Sequence, residues 1–338
     1  MLVVRAATPA DLDALYALAQ AAGPGMTTFK ADRAALAQRL DIAAASFRQT
    51  IAPAQRDYVF VLEDTGNGRV AGIAAIKASV GLDEPFYNFR LGAIVHAAQS
   101  VGVYARHQVL YLSHDLTGCA ELCSLFLDPA YRGGGNGRLL SQSRLLFIAQ
   151  FPQLFPQPVF AEMRGYQDER GTSPFWESLG RKFFDMDFHR ADDLCQPGAK
   201  SYIAELMPRY PIYTTFLTDA ARAAIGRTHA DTTPARRLLE REGFATSQYI
   251  DIFDGGPVLQ ADVATLRATR DSVLVTADNA VGEQAATAPA LLCTTNLAEF
   301  RAIAAAAAAA PDRAILTPAA RNALQCDSGC TIRVLGLQ

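Results

Sequence analysis

The sequence predicts an α/β protein, a mixed sheet flanked by helices, and three observations carry that prediction. Residues 121–151 read as an apolar strand that empties into a glycine-rich turn and then opens a helix. Residues 58–64 and 69–76 are two apolar runs joined by Thr65-Gly66-Asn67-Gly68, whose Asn and Gly tolerate the positive φ of a tight hairpin. Helix starts stand at Thr8-Pro9-Ala10-Asp11, Ser173-Pro174 and Thr233-Pro234, where a hydroxyl precedes a proline in the first turn.

Along the chain, residues 2–5 form a short strand, and the helix that follows places Leu12, Leu15, Leu18 and Ala19 on one face. After the hairpin, an insertion at 78–118 is long enough to bring its own strands and cover part of a cleft. Next come the strand at 121–128, an amphipathic helix from Arg138, a strand at 159–164 and a helix at 173–184. A helix at 233–242 ends in Gly243, and a strand follows at 249–253, so the helix-Gly-Phe-strand theme of 173–188 recurs and suggests a second partial repeat. The tail reads as small and β-rich, with strands at 272–276, 291–294 and 331–335 around a short alanine helix, Ala302 to Ala310, ended by Pro311. Three regions result: 1–190 with the insertion 78–118, 191–260, and 261–338.

The run Arg132-Gly133-Gly134-Gly135-Asn136-Gly137, followed by Arg138, offers backbone N–H groups unobstructed by Cβ atoms, with the positive end of a helix dipole behind them. Such a turn holds phosphate. It lacks the Lys-Ser/Thr end of a P-loop. It also lacks the Gly-x-Gly-x-x-Gly and later acid of a dinucleotide site. What remains, Arg132-x-x-Gly135-x-Gly137, resembles the pyrophosphate loop of the GCN5-related N-acyltransferases, which bind acyl-coenzyme A. The resemblance implies their mixed-sheet fold, with the cofactor on residues 132–138.

Several motifs narrow it. Leu116-Thr-Gly-Cys-Ala-Glu-Leu-Cys-Ser-Leu-Phe-Leu-Asp-Pro129, Ala161-Glu-Met-Arg-Gly165, Ser173-Pro-Phe-Trp-Glu177, Phe184-Asp-Met-Asp-Phe188, Ala204-Glu-Leu-Met-Pro208 and Tyr249-Ile-Asp-Ile-Phe-Asp-Gly-Gly-Pro257 resemble those of the arginine N-succinyltransferases. The resemblance covers roughly residues 1–260 and not the tail. It implies transfer of succinyl from succinyl-CoA to the α-amino group of L-arginine in bacterial arginine catabolism, with residues 1–190 binding acyl-CoA and 191–260 completing the site. Leu125, with Phe126 and Leu127 beside it, is implied as a succinyl-CoA contact, although its position alone reads as strand core. His229, in a polar loop before a helix, is implied as the proton donor, although a lone loop histidine more often is solvated. Ala230 stands where the family commonly has proline. The alternatives are an acyltransferase for ornithine or another amine, and a non-catalytic acyl-CoA sensor.

Other residues compete for roles. Glu121 is a second candidate base, at the start of the loop strand. Glu162, Asp185 and Asp187 are candidate carboxylate partners for a guanidinium, because bidentate pairing suits arginine. Arg164 is a candidate cation for the succinyl carboxylate, and His114-Asp115 an orienting pair or a turn. Cys119 and Cys123, like Cys326 and Cys330, stand four apart, which suits buried thiols better than a zinc set, so no metal is expected. With 31 basic against 34 acidic residues the net charge is −3, which argues against a nucleic-acid surface. No amino-terminal apolar segment follows a basic stretch, and the alanine run is too short to span a bilayer. The reading is a cytoplasmic enzyme without a disulfide framework or membrane attachment. Its partners are small molecules, and self-association is left open.

Overall fold

The computed structural model describes residues 1–22, 26, 28–188, 190, 191, 201–279, 288–309 and 312–337. β1 (Leu2–Ala6) leads through a single turn to α1 (Leu12–Ala22) and α2 (Arg33–Phe47). Asp11 fixes that turn, accepting the Thr8 N–H at 2.8 Å and pairing with Arg5 at 2.7 Å. The expected hairpin is β2 (Asp57–Asp64) and β3 (Arg69–Lys77). The insertion supplies a long second hairpin, β4 (Asn88–Ala98) and β5 (Val103–Ser113). β6 (Ala120–Leu127), α3 (Asn136–Gln150) and β7 (Val159–Glu162) follow.

Beyond β7 the chain makes α4 (Pro174–Ser178), α5 (Gly180–Phe184), α6 (Ser201–Leu206), β8 (Ile212–Tyr213) and α7 (Asp219–Ala224). It returns through α8 (Thr233–Glu242), β9 (Ala245–Ile250), β10 (Pro257–Ala261) and α9 (Arg267–Asp271). The tail comprises β11 (Val273–Asn279), β12 (Ala288–Thr294), β13 (Arg301–Ala309), β14 (Arg313–Leu316), α10 (Pro318–Leu324) and β15 (Thr331–Gly336). Among the described residues one sheet contains every strand, and its middle runs β1-β2-β3-β6-β7-β10-β9. In that stretch only β6 and β7 are parallel, which is why the whole of α3 lies between them as a crossover.

α3 is not the amphipathic helix expected. Every residue from Leu139 to Ala149 is buried, because the sheet covers one side and α8, α9 and tail strands cover the other. Its polar residues are therefore paired internally. Gln142 donates to Glu242 at 2.6 Å, and Glu242 also receives Arg267 at 2.7 Å. Phe147 sits at the centre of an aromatic cluster, with ring centroids 4.9 Å from Phe300, 5.0 Å from Tyr58 and Phe60, and 5.1 Å from Phe151.

Four further expectations are corrected. The alanine run is not a helix but β13; Ala310 and Pro311 lie outside the described residues. Alanine has the highest helix propensity, yet so short an isolated helix is marginal in water. Here β13 gains ladders with β12 on one edge and with β1 and β14 on the other. The chain of pairings β12-β15-β11-β14-β13-β12 closes on itself, and small side chains such as Ala307, Ala277, Ala290 and Ala314 let its interior pack. The strand expected at 249–253 ends at Ile250, because the Asp251 carboxylate accepts the N–H groups of Phe253 and Asp254 at 2.7 and 2.8 Å and bends the chain into β10. The recurring helix-Gly-Phe theme is local: α8 feeds β9 and β10 into the sheet beside β7, whereas no described strand directly follows α5. Cys326 and Cys330 form a disulfide rather than a pair of buried thiols, while Cys119 and Cys123 are free and buried.

Phe147 joins sheet, crossover helix and tail, so Phe147→Ala is expected to destabilise the protein by about 3–5 kcal/mol, the usual cost of deleting a buried aromatic side chain. Denaturant unfolding checks this; a loss below about 1 kcal/mol would place the structural centre elsewhere.

Candidate active site

β6 and β7 pair at only two positions, Ala120 with Val159 and Glu121 with Phe160. Beyond them β6 stays on β3 while β7 stays on β10, so the two strands part like a fork. A bulge sharpens the parting. Ala75 faces Cys123 and Ile73 faces Phe126, so Ser124 and Leu125 together oppose one residue, and Ser124 takes φ 53°. The extra residue flips the side-chain phase, turning Leu125 and Leu127 toward α3 and Phe126 toward α1 and α2. The bulge is clamped from the second face: the Ser124 hydroxyl donates to Thr28 at 3.0 Å and accepts from Arg39 Nη1 at 2.9 Å, and Arg39 is paired with Asp57 at 2.8 Å.

The glycine-rich turn closes the far end of the fork. Gly133, Gly134 and Gly135 take φ of 110°, 58° and 84°, which no side-chain-bearing residue adopts without strain. Gly137 lies inside the first turn of α3 with an ordinary helical φ, and a Cβ there would meet only the Leu127 side chain at 3.9 Å, so the fold itself does not demand glycine at this position. Asn136 donates to the Tyr131 carbonyl at 2.8 Å and Arg132 to the Leu127 carbonyl at 3.3 Å, which ties the turn to the end of β6. Residues 132–135 are exposed, and α3 begins at Asn136, so an anion can approach the first N–H groups of the helix. Arg138, one position past the last glycine, donates to Gln142 at 3.0 Å.

Two charged residues lie at the root of the fork. Glu121 is 5 % exposed and stands opposite Lys77. Burial works against the Lys77 ammonium, but Glu121 and Asp57 hold its pKa above the usual value. Arg144, on α3, is 2 % exposed and donates to the Cys123 carbonyl at 3.3 Å and to the Ser141 hydroxyl at 3.3 Å. Among the described residues it has no carboxylate partner, and burial pushes its pKa down to about 10. Sequence reasoning missed it, although a charge within Leu139 to Phe147 was a legible anomaly.

His229 stands at the end of β7. Its backbone N–H donates to the Arg164 carbonyl at 2.8 Å, and Thr228 bridges Gly165. The β7 end is itself pinned, since the buried Asp254 carboxylate accepts Gly165 N–H at 2.6 Å and Gly256 N–H at 2.8 Å. A Cβ on Gly165 would lie 2.5 Å from the Asp254 carbonyl oxygen, and one on Gly256 2.0 Å from that of Met163, so both positions require glycine. The Asp231 N–H donates to His229 Nδ1 at 3.2 Å, which leaves Nε2 as the ring atom open to a ligand. Burial, and then the Arg164 charge, push the imidazole below its usual value against the opposing pull of Asp231. The shift favours the neutral imidazole, and the Asp231 N–H on Nδ1 puts the proton of that form on Nε2.

Glu162 also belongs to this end of β7: Ala161 and Met163 turn into the core under α3, and Glu162 turns the other way and accepts from Asn88 Nδ2 at 2.5 Å. Asp185 and Asp187 are not brought to His229 by any contact in the structure; both are exposed, Asp185 ending α5 with φ 48° and Asp187 capping the Arg190 N–H at 2.8 Å. His114 stacks near Tyr87, and Asp115 accepts from Tyr249 at 3.0 Å, which makes that pair part of a separate surface.

The chain matches the family model described as arginine N-succinyltransferase beta subunit over residues 2–268, and its C-terminal domain over residues 272–336. It is 47% identical to arginine N-succinyltransferases of Escherichia coli and Shigella flexneri, over all of this chain and 98% of theirs. Among solved structures, arginine/ornithine succinyltransferase subunit AI from Pseudomonas aeruginosa superposes with a TM-score of 0.90 at 36% identity, covering 99% of this chain and 98% of that one. With sequence, fold and full-length coverage in agreement, the chain belongs to the arginine N-succinyltransferase family and is an acyltransferase that uses an acyl-CoA co-substrate.

Proposed function

We propose that the protein transfers succinyl from succinyl-CoA to the α-amino group of L-arginine, in the bacterial cytoplasm and within arginine catabolism. The fork between β6 and β7, with a glycine-rich turn at its end and His229 beside it, carries this reading. In the reading, the N–H groups of residues 133–138 hold the diphosphate, and the open edge of β6 from Leu127 to Leu125 bonds the pantetheine amides. Arg144, which has no carboxylate partner among the described residues, supplies the counter-charge for the succinyl carboxylate. Arginine approaches from the opposite face, where Glu162 takes its guanidinium. Ornithine remains the alternative acceptor, since Glu162 would hold its side-chain ammonium equally well.

Chemistry follows from that placement. The amine attacks as the free base, a C–N bond forms and the C–S bond breaks. The proton that the nitrogen sheds is the one the departing thiolate gains, so the transfer balances, and His229 acts as a hydrogen-bond donor that keeps its own proton. His229 Nε2–H donates to the negative charge that develops on the thioester oxygen and then on the departing sulfur, and its neutral form suits the task because Nδ1 is held by Asp231 N–H. Glu121, buried against Lys77, sets the field at the root of the fork.

His229→Ala is expected to lower kcat by about 10²–10⁴-fold with little change in substrate binding. In the unaltered enzyme kcat should fall only on the acid side, with a midpoint below 6.5, because protonation breaks the Asp231 bond and that protonation is disfavoured in the fold. Steady-state kinetics against pH check both; an unchanged kcat in the variant would remove His229 from the reaction.

Arg144→Met keeps the volume and removes the buried charge, a replacement that cores often accept without loss of stability. The kcat/KM for succinyl-CoA should fall by about 10²-fold or more, while that for the uncharged butyryl-CoA should hold or rise. Equal losses for both donors in a folded variant would make Arg144 structural.

A further inference from the structure

Beside His229 the structure holds two buried donors with nothing to bond. Arg164 Nε and Gln167 Nε2 each lack a hydrogen-bond partner, and Gln167 is 8 % exposed. Their mutual contact fixes their orientation. Arg164 Nη2 donates to Gln167 Oε1 at 2.8 Å, and since a guanidinium can only donate, the amide oxygen must face it and the NH₂ must point away. Arg164 has no carboxylate partner among the described residues. Leaving a guanidinium N–H and an amide N–H buried and unbonded is costly, and a folded chain retains such groups where a ligand completes them.

We infer that Arg164 and Gln167 form the binding site for the α-carboxylate of the amino-acid acceptor, and that this pair selects α-amino acids over other amines. The inference rests on the acyltransferase reading above and adds to it a recognition site on the acceptor side. Two unsatisfied N–H donors, one of them charged, call for an anionic oxygen ligand. Their position favours the acceptor over the donor. The Arg164 carbonyl holds the His229 backbone at 2.8 Å, which places the pair next to the group that serves the reacting atoms. The α-carboxylate is one carbon from the reacting nitrogen, whereas the distal carboxylate of a succinyl group is separated from the thioester by two methylenes. The donor carboxylate already has Arg144, on the α3 side of the sheet.

The neighbouring residues complete the zwitterion's outline. Glu162 lies two positions before Arg164, a separation of about 6.6 Å in extended chain, comparable to the distance between the two ends of an arginine molecule. Asn88, 1 % exposed, donates to Glu162 and keeps its own Oδ1 buried and unbonded, an acceptor suited to a guanidinium N–H. Carboxylate at Arg164–Gln167 and guanidinium at Glu162–Asn88 would leave the α-amino group beside His229.

The test compares L-arginine with L-argininamide, which keeps the shape and loses the negative charge, in the unaltered enzyme, Arg164→Gln and Gln167→Leu, with succinyl-CoA and butyryl-CoA as donors. The unaltered enzyme should prefer arginine by about 10²-fold in kcat/KM. Arg164→Gln should abolish most of that preference by raising KM for arginine, with argininamide nearly unaffected and the succinyl-over-butyryl preference intact. Gln167→Leu should move in the same direction by a smaller factor, and Arg164→Lys should restore part of the preference. Equal losses for arginine and argininamide in either folded variant would overturn the inference, as would collapse of the donor preference with the acceptor preference kept. Failure of the unaltered enzyme to transfer succinyl to arginine at all would instead overturn the underlying reading, and the inference with it.

Discussion

The parting of β6 from β7 after Glu121 and Phe160 is the constraint on which the site depends. A sheet gains by continuing its ladders, so two parallel neighbours that stop pairing after two positions need something to hold them apart. Three anchors do so. The bulge at Ser124, clamped by Thr28 and Arg39, keeps β6 on β3 and bends it. The glycine turn, bonded back to Leu127, ends β6 and starts α3. Asp254 and the Thr228–His229 segment give the end of β7 hydrogen bonds that β6 no longer offers. Each anchor comes from a different stretch of sequence, and the fork exists only when all have folded onto the same sheet.

The fork separates two chemical environments. On the α3 side a guanidinium is buried, and beyond β7 a second is half-buried, neither with a carboxylate partner among the described residues. An uncompensated buried charge is among the least favourable features a core can carry. Two of them flanking one opening are consistent with two anionic ligands that approach from opposite faces and meet between the strands. The backbone at the end of β7 leaves no room for side chains at two positions, since Gly165 and Gly256 have carbonyl oxygens where a Cβ would go.

Much of this was legible in the sequence and some was not. Strand-turn-helix logic located β6, the glycine turn and α3, because turn glycines and apolar runs act locally. The hairpin of β2 and β3 was legible for the same reason. The alanine strand was not, since its conformation is decided by ladders with β1, at the other end of the chain, and with its neighbours β12 and β14, none of which alanine's own propensity announces. His229 drew attention only through motif resemblance; its pKa is lowered by burial and then by the charge of Arg164, which folding brings beside it from a distant stretch of the chain. Of the three carboxylates expected to meet a guanidinium, Glu162 has a buried amide partner near His229, while Asp185 and Asp187 end or cap short helical turns at the surface. Gln167 and Asn88 carried no local signal, because an amide becomes conspicuous only when burial leaves it unbonded.

The central claim is that the gap between β6 and β7 is the acyl-CoA slot, and the most direct measurement is a crystal structure of the protein with coenzyme A. The account predicts the diphosphate on the N–H groups of residues 133–138, the pantetheine amides paired with the free edge of β6 between Leu125 and Leu127, and the sulfur beside the Ser124 bulge within reach of His229. Coenzyme A bound elsewhere, or β6 and β7 laddered together past Glu121 with the cofactor present, would contradict it.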